Sequence, residues 1–359
     1  MAVNTAGYVP ALSQDTGRQP SQGLWFDCPE QDLTEAGSGS PGSQGILGFD
    51  DFTEFPDSAA AVLGQNSYNA QIQMAGWDTW IGNNSGAAVG SLADTTNLPL
   101  EGGVIGITGG TTAIDVTMAK GVQGIRLISP ATGYPMQGKT WFECRIAVST
   151  VTSAYLDLFL GLMDHGYGGT NITSAASLCF SSTNTLKTAS GNGACIGFWK
   201  RATSNPTDVA FAYNVNNGTV QTPGSSTTLQ QMLFNSGFAP FATGTGGSGG
   251  LTALSSTSGA PNANAFVKLG FKFDPTPGCL QGLATSAVTT NQTVGTVYSQ
   301  RVQIFVNGQR LPWFLTTSDV QAATFPSTFL NPVIGYRSGG TGVGKAYIDW
   351  VKWAQIGTY

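Results

Sequence analysis

Asn264-Ala-Phe-Val-Lys-Leu-Gly-Phe-Lys-Phe-Asp274 places Val267, Leu269, Phe271 and Phe273 on one parity, and Lys268, Gly270 and Lys272 on the other. A period of two is the mark of a strand packed on one side. Working outward, Arg301-Val-Gln-Ile-Phe-Val-Asn-Gly308 alternates in the same way. Its Asn307-Gly308 supplies the positive φ values of a two-residue hairpin turn, so Gln309–Trp313 is expected to run back as the partner strand. Phe329-Leu-Asn-Pro-Val-Ile-Gly-Tyr-Arg337 and Lys345-Ala-Tyr-Ile-Asp-Trp-Val-Lys-Trp-Ala-Gln355 close the chain. The last run carries apolar residues on both faces, which predicts a central strand or one covered on both sides.

The rest of the chain fits the same class. Thr140-Trp-Phe-Glu-Cys-Arg-Ile-Ala-Val-Ser149 alternates with Phe142, Cys144, Ile146 and Val148 inward, and Tyr155–Met163 follows with leucines on one parity. Shorter strands are expected at Leu47–Phe52, Val104–Ile107, Ile114–Met118, Gly124–Ile128, Cys195–Trp199 and Asp208–Val215. Ala75–Trp80 reads as lying among turn residues. No helical period of useful length occurs. With 49 glycines in 359 residues and only 10% charged side chains, the composition suits many turns between strands, and the 41% apolar share excludes a disordered chain. The fold class is all-β: a sandwich of antiparallel strands with long loops.

Two regions stand apart. Residues 1–45 lack strand alternation yet hold Tyr8, Trp25 and Phe26, which fits an extended arm lying on another surface or on the sandwich itself. Residues 46–359 form the sandwich, with a Gly/Ser/Thr-rich insertion at about 216–262. On this reading, removal of residues 1–45 leaves the sandwich folded.

A net charge of −5 excludes nucleic acid as a partner, since phosphate contacts require clustered Lys and Arg. No stretch has membrane-spanning length, and the N-terminus has no signal-peptide pattern. Five widely spaced cysteines without a CxxC signal neither a zinc site nor a disulfide framework.

Trp141-Phe-Glu-x-Arg-Ile-x-Val-Ser149, then Phe159-Leu-Gly-Leu-Met-Asp164, Gly197-Phe-Trp199, Val267–Asp274 and Ile304-Phe-Val-Asn-Gly308 follow in an order that resembles the concanavalin A-like jelly roll. The closing Tyr347-Ile-Asp-Trp-Val-Lys352 is similar to the version found in tailed-bacteriophage virion proteins. The resemblance covers roughly residues 46–357 and rests on the order of its parts. It implies a non-enzymatic particle protein, made in the host cytoplasm and carried on the virion, with head decoration (cement) favoured over a tail position. It further implies the major capsid protein and neighbouring copies of the chain as partners, with a trimer as a common form. Tyr8, Trp25 and Phe26 are then the candidate capsid- or subunit-contacting residues. The alternative is a lectin-like tail or fibre protein binding a surface glycan, with Trp141, Tyr167, Trp199 and Trp353 as candidate glycan or interface aromatics.

Catalytic patterns are sparse. A glycosidase needs two carboxylates flanking the scissile bond. The pair on offer is Glu143 and Asp157, on the outward parity of consecutive strands that a hairpin would bring together. His165 follows Asp164 in a turn, without the elbow that a serine nucleophile needs. Gly339-Gly-Thr-Gly-Val-Gly-Lys345 has the letters of a phosphate loop, but a strand follows where a helix must begin. Asp164, Tyr167 and Asn171 share a loop of a kind that lectins use for calcium and sugar. The Asn-x-Ser/Thr triplets at Asn83, Asn171, Asn217 and Asn291 are what chance yields in such a composition. The expectation is an absence of catalytic, metal and cofactor sites.

Overall fold

A computed structural model describes residues 17–35, 45–53, 70–74, 76–82, 88–91, 103–108, 114–120, 124–128, 138–148, 156–164, 179–182, 185–186, 194–200, 209–214, 266–275, 301–315, 319–320, 323, 325–338 and 345–357. A short helix, α1 (Gln22–Trp25), and a 3₁₀ turn (Glu30–Asp32) come first. The strands of the first half are β1 (Thr34–Glu35), β2 (Gly45–Asp50), β3 (Ala70–Met74), β4 (Trp77–Gly82), β5 (Ala88–Ser91), β6 (Ile105–Thr108), β7 (Ile114–Lys120), β8 (Thr140–Val148) and β9 (Leu156–Met163). Those of the second half are β10 (Phe180–Ser182), β11 (Thr185–Leu186), β12 (Cys195–Lys200), β13 (Val209–Asn214), β14 (Val267–Phe273), β15 (Val302–Val306), β16 (Gln309–Leu315), β17 (Asn331–Ser338) and β18 (Lys345–Ile356).

Two large sheets face each other. The front sheet runs β1-β2-β18-β8-β14-β15-β16, with β6 also on β18 and β5 on β6; the back sheet runs β13-β12-β9-β17-β7-β4-β3. Among the described residues all pairings are antiparallel except β1 with β2, which is parallel. The protein is therefore an all-β jelly-roll sandwich. Between the sheets lie the residues whose parity predicted it, including Cys144, Leu160, Leu269, Phe271 and Ile304. Phe271 ties the layers together: its ring stacks on Phe142 of its own sheet at 5.4 Å and meets Phe211 of the other edge-on at 5.5 Å. Burial of such a ring contributes about 1.5–3 kcal/mol. The β15–β16 hairpin turns at Asn307 (φ 48°) and Gly308 (φ 73°), as its two letters require.

Two sequence expectations need correction, and a third, the central placement of β18, holds with an added local cause. Trp77 to Gly82 is a back-sheet strand and Trp77 a core residue, because its turn-like neighbours hide a two-stranded pairing with β3. Of Gly124–Ile128, only the bridge Ile125↔Leu330 is paired. In β18, the apolar residues on both faces have a local cause. Register slips between Ile348 and Trp350, so Asp349 is the extra residue of a β-bulge that exchanges the two faces. Ala346 and Ile348 point into the core before it, and Val351 and Trp353 after it.

The arm lies on the sandwich itself over residues 17–35. Leu24, Trp25 and Leu33 pack with Trp141, Phe305 and Ala354 on the outer face of the front sheet. Gly270 makes room: a Cβ there would sit 2.5 Å from Leu24 Cδ2. Its lack of a side chain on the outward parity is thus a notch for the arm. Removal of residues 1–45 would uncover these apolar groups and several buried charges. Tyr8 and the insertion at about 216–262 lie outside the described residues.

Candidate functional site

The outer face of the front sheet concentrates the polar chemistry of the described residues. From β8 come Trp141, Glu143 and Arg145; from β14, Lys268 and Lys272; from β18, Asp349 and Lys352. The strap formed by residues 17–35 answers most of them. Arg18 reaches Asp349 (Nη2–Oδ1 2.8 Å), and Asp349 also pairs with Arg145 beneath it. Lys268 Nζ donates to the carbonyl of Gln19 at 2.8 Å. Asp27 accepts from Lys139 Nζ at 2.9 Å and from Lys272, and Glu30 accepts from Lys352 Nζ at 2.7 Å. The Lys352 ammonium also stands 4.3 Å from the centre of the Trp25 ring, a cation–π contact.

Glu143 is the centre of this arrangement. It is fully buried, and one of its oxygens accepts from the backbone N–H of Ser21 at 2.9 Å and from Trp25 Nε1 at 2.8 Å. Burial pushes its carboxyl above the ordinary value of 4.5, against the opposing pull of the Ser21 and Trp25 hydrogen bonds and of the Lys268 charge. Asp27 goes the other way. Burial would raise it, but hydrogen bonds and charge from Lys272 and Lys139 outweigh burial and hold it below its ordinary 3.8.

These shifts have opposite consequences for stability. Asp27 contributes stability that is present above pH 3.8 and is lost as pH falls through its lowered folded value. Glu143 contributes stability that is complete below pH 4.5 and is lost as pH rises through its raised folded value. Glu143→Gln removes the second slope while keeping an acceptor for both N–H groups. The variant is therefore expected to gain on the parent protein as pH rises through that window, measured by urea unfolding at each pH. Parallel stability curves would contradict this reading of Glu143.

Glu143 and Asp157 do not form a pair. β8 is bonded to β14 and β18 in the front sheet, and β9 to β12 and β17 in the back sheet. Both carboxylates do face outward, but from opposite sides of the sandwich. Nor is Glu143 partnered by Arg145, whose guanidinium goes to Asp349. Asp157 is buried opposite Arg337 in register. Nearby Lys200 donates to the carbonyl of Leu156 at 3.0 Å, and burial, against the attraction of Asp157, lowers its ammonium to about 8.

The aromatic candidates also fall differently from their expected exposure. Trp141 is buried under the strap, its Nε1 donating to Asp27 Oδ1 at 3.3 Å. Trp353 lies between the sheets, edge-on to Trp77 at 6.5 Å. Trp199 is buried on the outer face of the back sheet with Phe159, Met163 and Phe180. That face is covered too, because Cys179 N–H donates to Thr117 Oγ1 at 2.8 Å. Gly335 provides the space beneath: a Cβ there would meet Cys179 Sγ at 2.5 Å. Trp25 is buried in the strap, whereas Phe26 beside it is 74% exposed. Tyr167, His165 and Asn171 lie outside the described residues, as do residues 339–344 and the four sequon asparagines. Among the described residues no three His, Cys, Asp or Glu groups gather as a metal site, and Cys28, Cys144, Cys179 and Cys195 are free thiols.

Sequence reasoning missed Asp349 and Phe329. Asp349 sits in an apolar run whose two faces cannot be told apart until the bulge is known. Phe329 is 54% exposed, with the Arg126 guanidinium 3.9 Å from its ring centre. Nothing in its sequence neighbourhood predicts the stack.

No protein-family model and no curated protein sequence matches this chain. Solved structures with similar folds include peanut lectin with a nine-residue peptide, at 13% identity and TM-score 0.38 over 86% of this chain and 97% of that one. A GH16 protein of Bacteroides ovatus, in complex with a G4G4G3G product, matches at 11% identity and TM-score 0.39 over 85% of this chain and 99% of that one. A cellulose-induced protein matches at 12% identity and TM-score 0.34 over 85% and 95%. Likeness at this level transfers no activity, ligand or residue role; the jelly roll rests on the chain's own strand order and register.

Proposed function

We propose that this chain is a non-enzymatic structural protein of a tailed-bacteriophage particle, a decoration protein that binds and stabilises the outer surface of the head. The observation that carries the non-enzymatic part is the separation of Glu143 from Asp157 by the thickness of the sandwich, with Glu143 sealed under the strap. Acid–base cleavage needs two carboxyls that reach one substrate. The particle part is supported by the order of strand motifs and the closing Tyr347–Lys352 stretch. Partners on this reading are the major capsid protein and further copies of the chain. Trp25 is committed to its own sandwich, which leaves Phe26, with Tyr8, as a contact from the arm.

Copy number in purified particles, measured by quantitative mass spectrometry against the major capsid protein, tests the reading. Abundance comparable to the capsid protein is the expected result. A handful of copies, or none, would overturn the head-decoration assignment.

A second reading, a glycan-binding tail protein, is favoured by one feature. The exposed Phe329 ring, braced by Arg126, offers an apolar face beside a positive charge. Retention on a glycan array that is lost in Phe329→Ala would support it.

A further inference from the structure

Just before β17 the back sheet combines an exposed ring with polar groups that have no partner. Ile125 and Leu330 exchange backbone hydrogen bonds at 2.8 Å in both directions, and both side chains lie in the core. The positions flanking an antiparallel bridge stand opposite one another on the other face. That register sets Arg126 beside Phe329 and Gly124 beside Asn331 on the outside. The contacts agree with it. The Arg126 guanidinium lies 3.9 Å from the centre of the Phe329 ring, and a Cβ on Gly124 would stand 2.6 Å from Phe329 Cβ. The ring is seated on glycine backbone and braced by a cation, with much of it open to solvent.

Two groups on this face have unused hydrogen-bonding capacity. Unlike Arg145 or Lys352, Arg126 pairs with no carboxylate among the described residues, and its buried Nε donates to nothing. Stacking uses the face of a guanidinium and leaves its N–H groups available in the plane, where two of them can grip one anion. Asn331 is 3% exposed, and its Oδ1 accepts no hydrogen bond. A buried acceptor without a donor is costly, and a hydroxyl brought by a ligand relieves it. The backbone beneath is fixed independently of these side chains. Gln355 Oε1 accepts from the Arg126 N–H at 3.3 Å, and Gln355 Nε2 donates to the Arg126 carbonyl at 2.9 Å.

We infer that Phe329, Arg126 and Asn331 form a subsite for an acidic saccharide, a sugar ring that carries a carboxylate or sulfate group. Arg126 takes the anion, the open part of the Phe329 ring takes the apolar face of the sugar, and Asn331 Oδ1 accepts from a hydroxyl. Each property excludes a simpler occupant. An inorganic anion offers the ring nothing, a neutral sugar leaves Arg126 uncompensated, and an apolar ligand leaves Asn331 without a donor. With a net charge of −5 the chain does not attract polyanions in general, so retention of an acidic sugar reports a local site. The inference deepens the glycan-binding reading and rests on it; the place of the chain on a head or a tail does not enter.

Binding of the full-length protein to an array of matched saccharides, each in carboxylated, sulfated and neutral form, tests it. The expected result is retention of an acidic form about 10-fold or more tighter than its neutral counterpart, and the form retained names the anion. This comparison needs no variant, so it does not depend on any substitution being tolerated. Arg126→Lys keeps the charge but loses the fork, and should weaken acidic retention about 10-fold. Phe329→Ala, at an exposed ring, should weaken it as well. Acidic retention that Arg126→Lys leaves unchanged would overturn the assignment to this subsite. Equal retention of acidic and neutral forms, or of neutral forms alone, would overturn the acidic-saccharide inference while glycan binding stands. Retention of no member of the array would overturn both.

Discussion

Replacing Asp349 with alanine is expected to destabilise the protein by about 3–5 kcal/mol, the usual cost of leaving a buried charge without its partner. Asp349 is 1% exposed and holds two guanidiniums, Arg145 in the sheet and Arg18 in the strap. Arg145 is itself buried, with its guanidinium 4.4 Å from the centre of the Phe266 ring. Without Asp349 that cation loses this carboxylate from beside it. The bulge adds to the effect, because Asp349 is the residue that lets β18 change faces between Ile348 and Val351. Equilibrium urea unfolding provides the measurement. Asp349→Asn, which keeps the shape and two acceptor lone pairs, should recover part of the loss. A loss in the alanine variant of less than about 1 kcal/mol would show that neither guanidinium depends on this carboxylate.

Trp353→Ala is the second large effect, at about 3–5 kcal/mol, and its cause is a cavity rather than a charge. The indole is 2% exposed, lies against Trp77 and fills the space above Gly48, where a Cβ would stand 2.0 Å from its Cζ2. Backbone that has closed around an indole to that degree does not refill the space by small shifts. The contrast with Phe329 makes the test specific. Phe329→Ala removes a ring that is 54% exposed and should change stability by no more than about 0.5 kcal/mol beyond the loss of its Arg126 stack. Equal costs at the two positions would contradict the placement of Trp353 between the sheets.

What was legible in the sequence was what a period of two encodes. The inward parities of β8, β9, β14 and β15 all hold, and so does the Asn307-Gly308 turn. What was not legible depends on which strands become neighbours. Glu143 and Asp157 each have the outward parity expected of them, yet β8 lies in the front sheet and the next strand, β9, in the back one. Parity says which side of its own sheet a residue faces, and nothing about which sheet that is. Trp141 shows the same limit. Its outward parity was read as exposure, but residues more than a hundred positions earlier cover it, and the features that seat them are as remote in sequence as Gly270 and Lys352. Trp353 was misplaced by one bulged residue, since a single insertion inverts every later side chain.

The strap also accounts for the composition of the front sheet's outer face. Lysines at 268, 272 and 352 and a buried Glu143 would be an odd choice for a bare sheet. Beneath an acidic, aromatic cover they are paired one by one, and the cost of burying them is offset. Function on any reading starts from this sealed surface.

Hydrogen exchange at the amides of Ser21, Leu24 and Trp25 tests that seal most directly. Ser21 N–H donates to Glu143, and Leu24 and Trp25 N–H donate to the carbonyl of Ser21. A strap that is part of the fold should slow these three amides by about 100-fold or more relative to an unstructured peptide. Exchange at unstructured rates, with the β8 and β14 amides still protected, would mean that the strap does not hold to the sheet and that the outer face of the front sheet stands open.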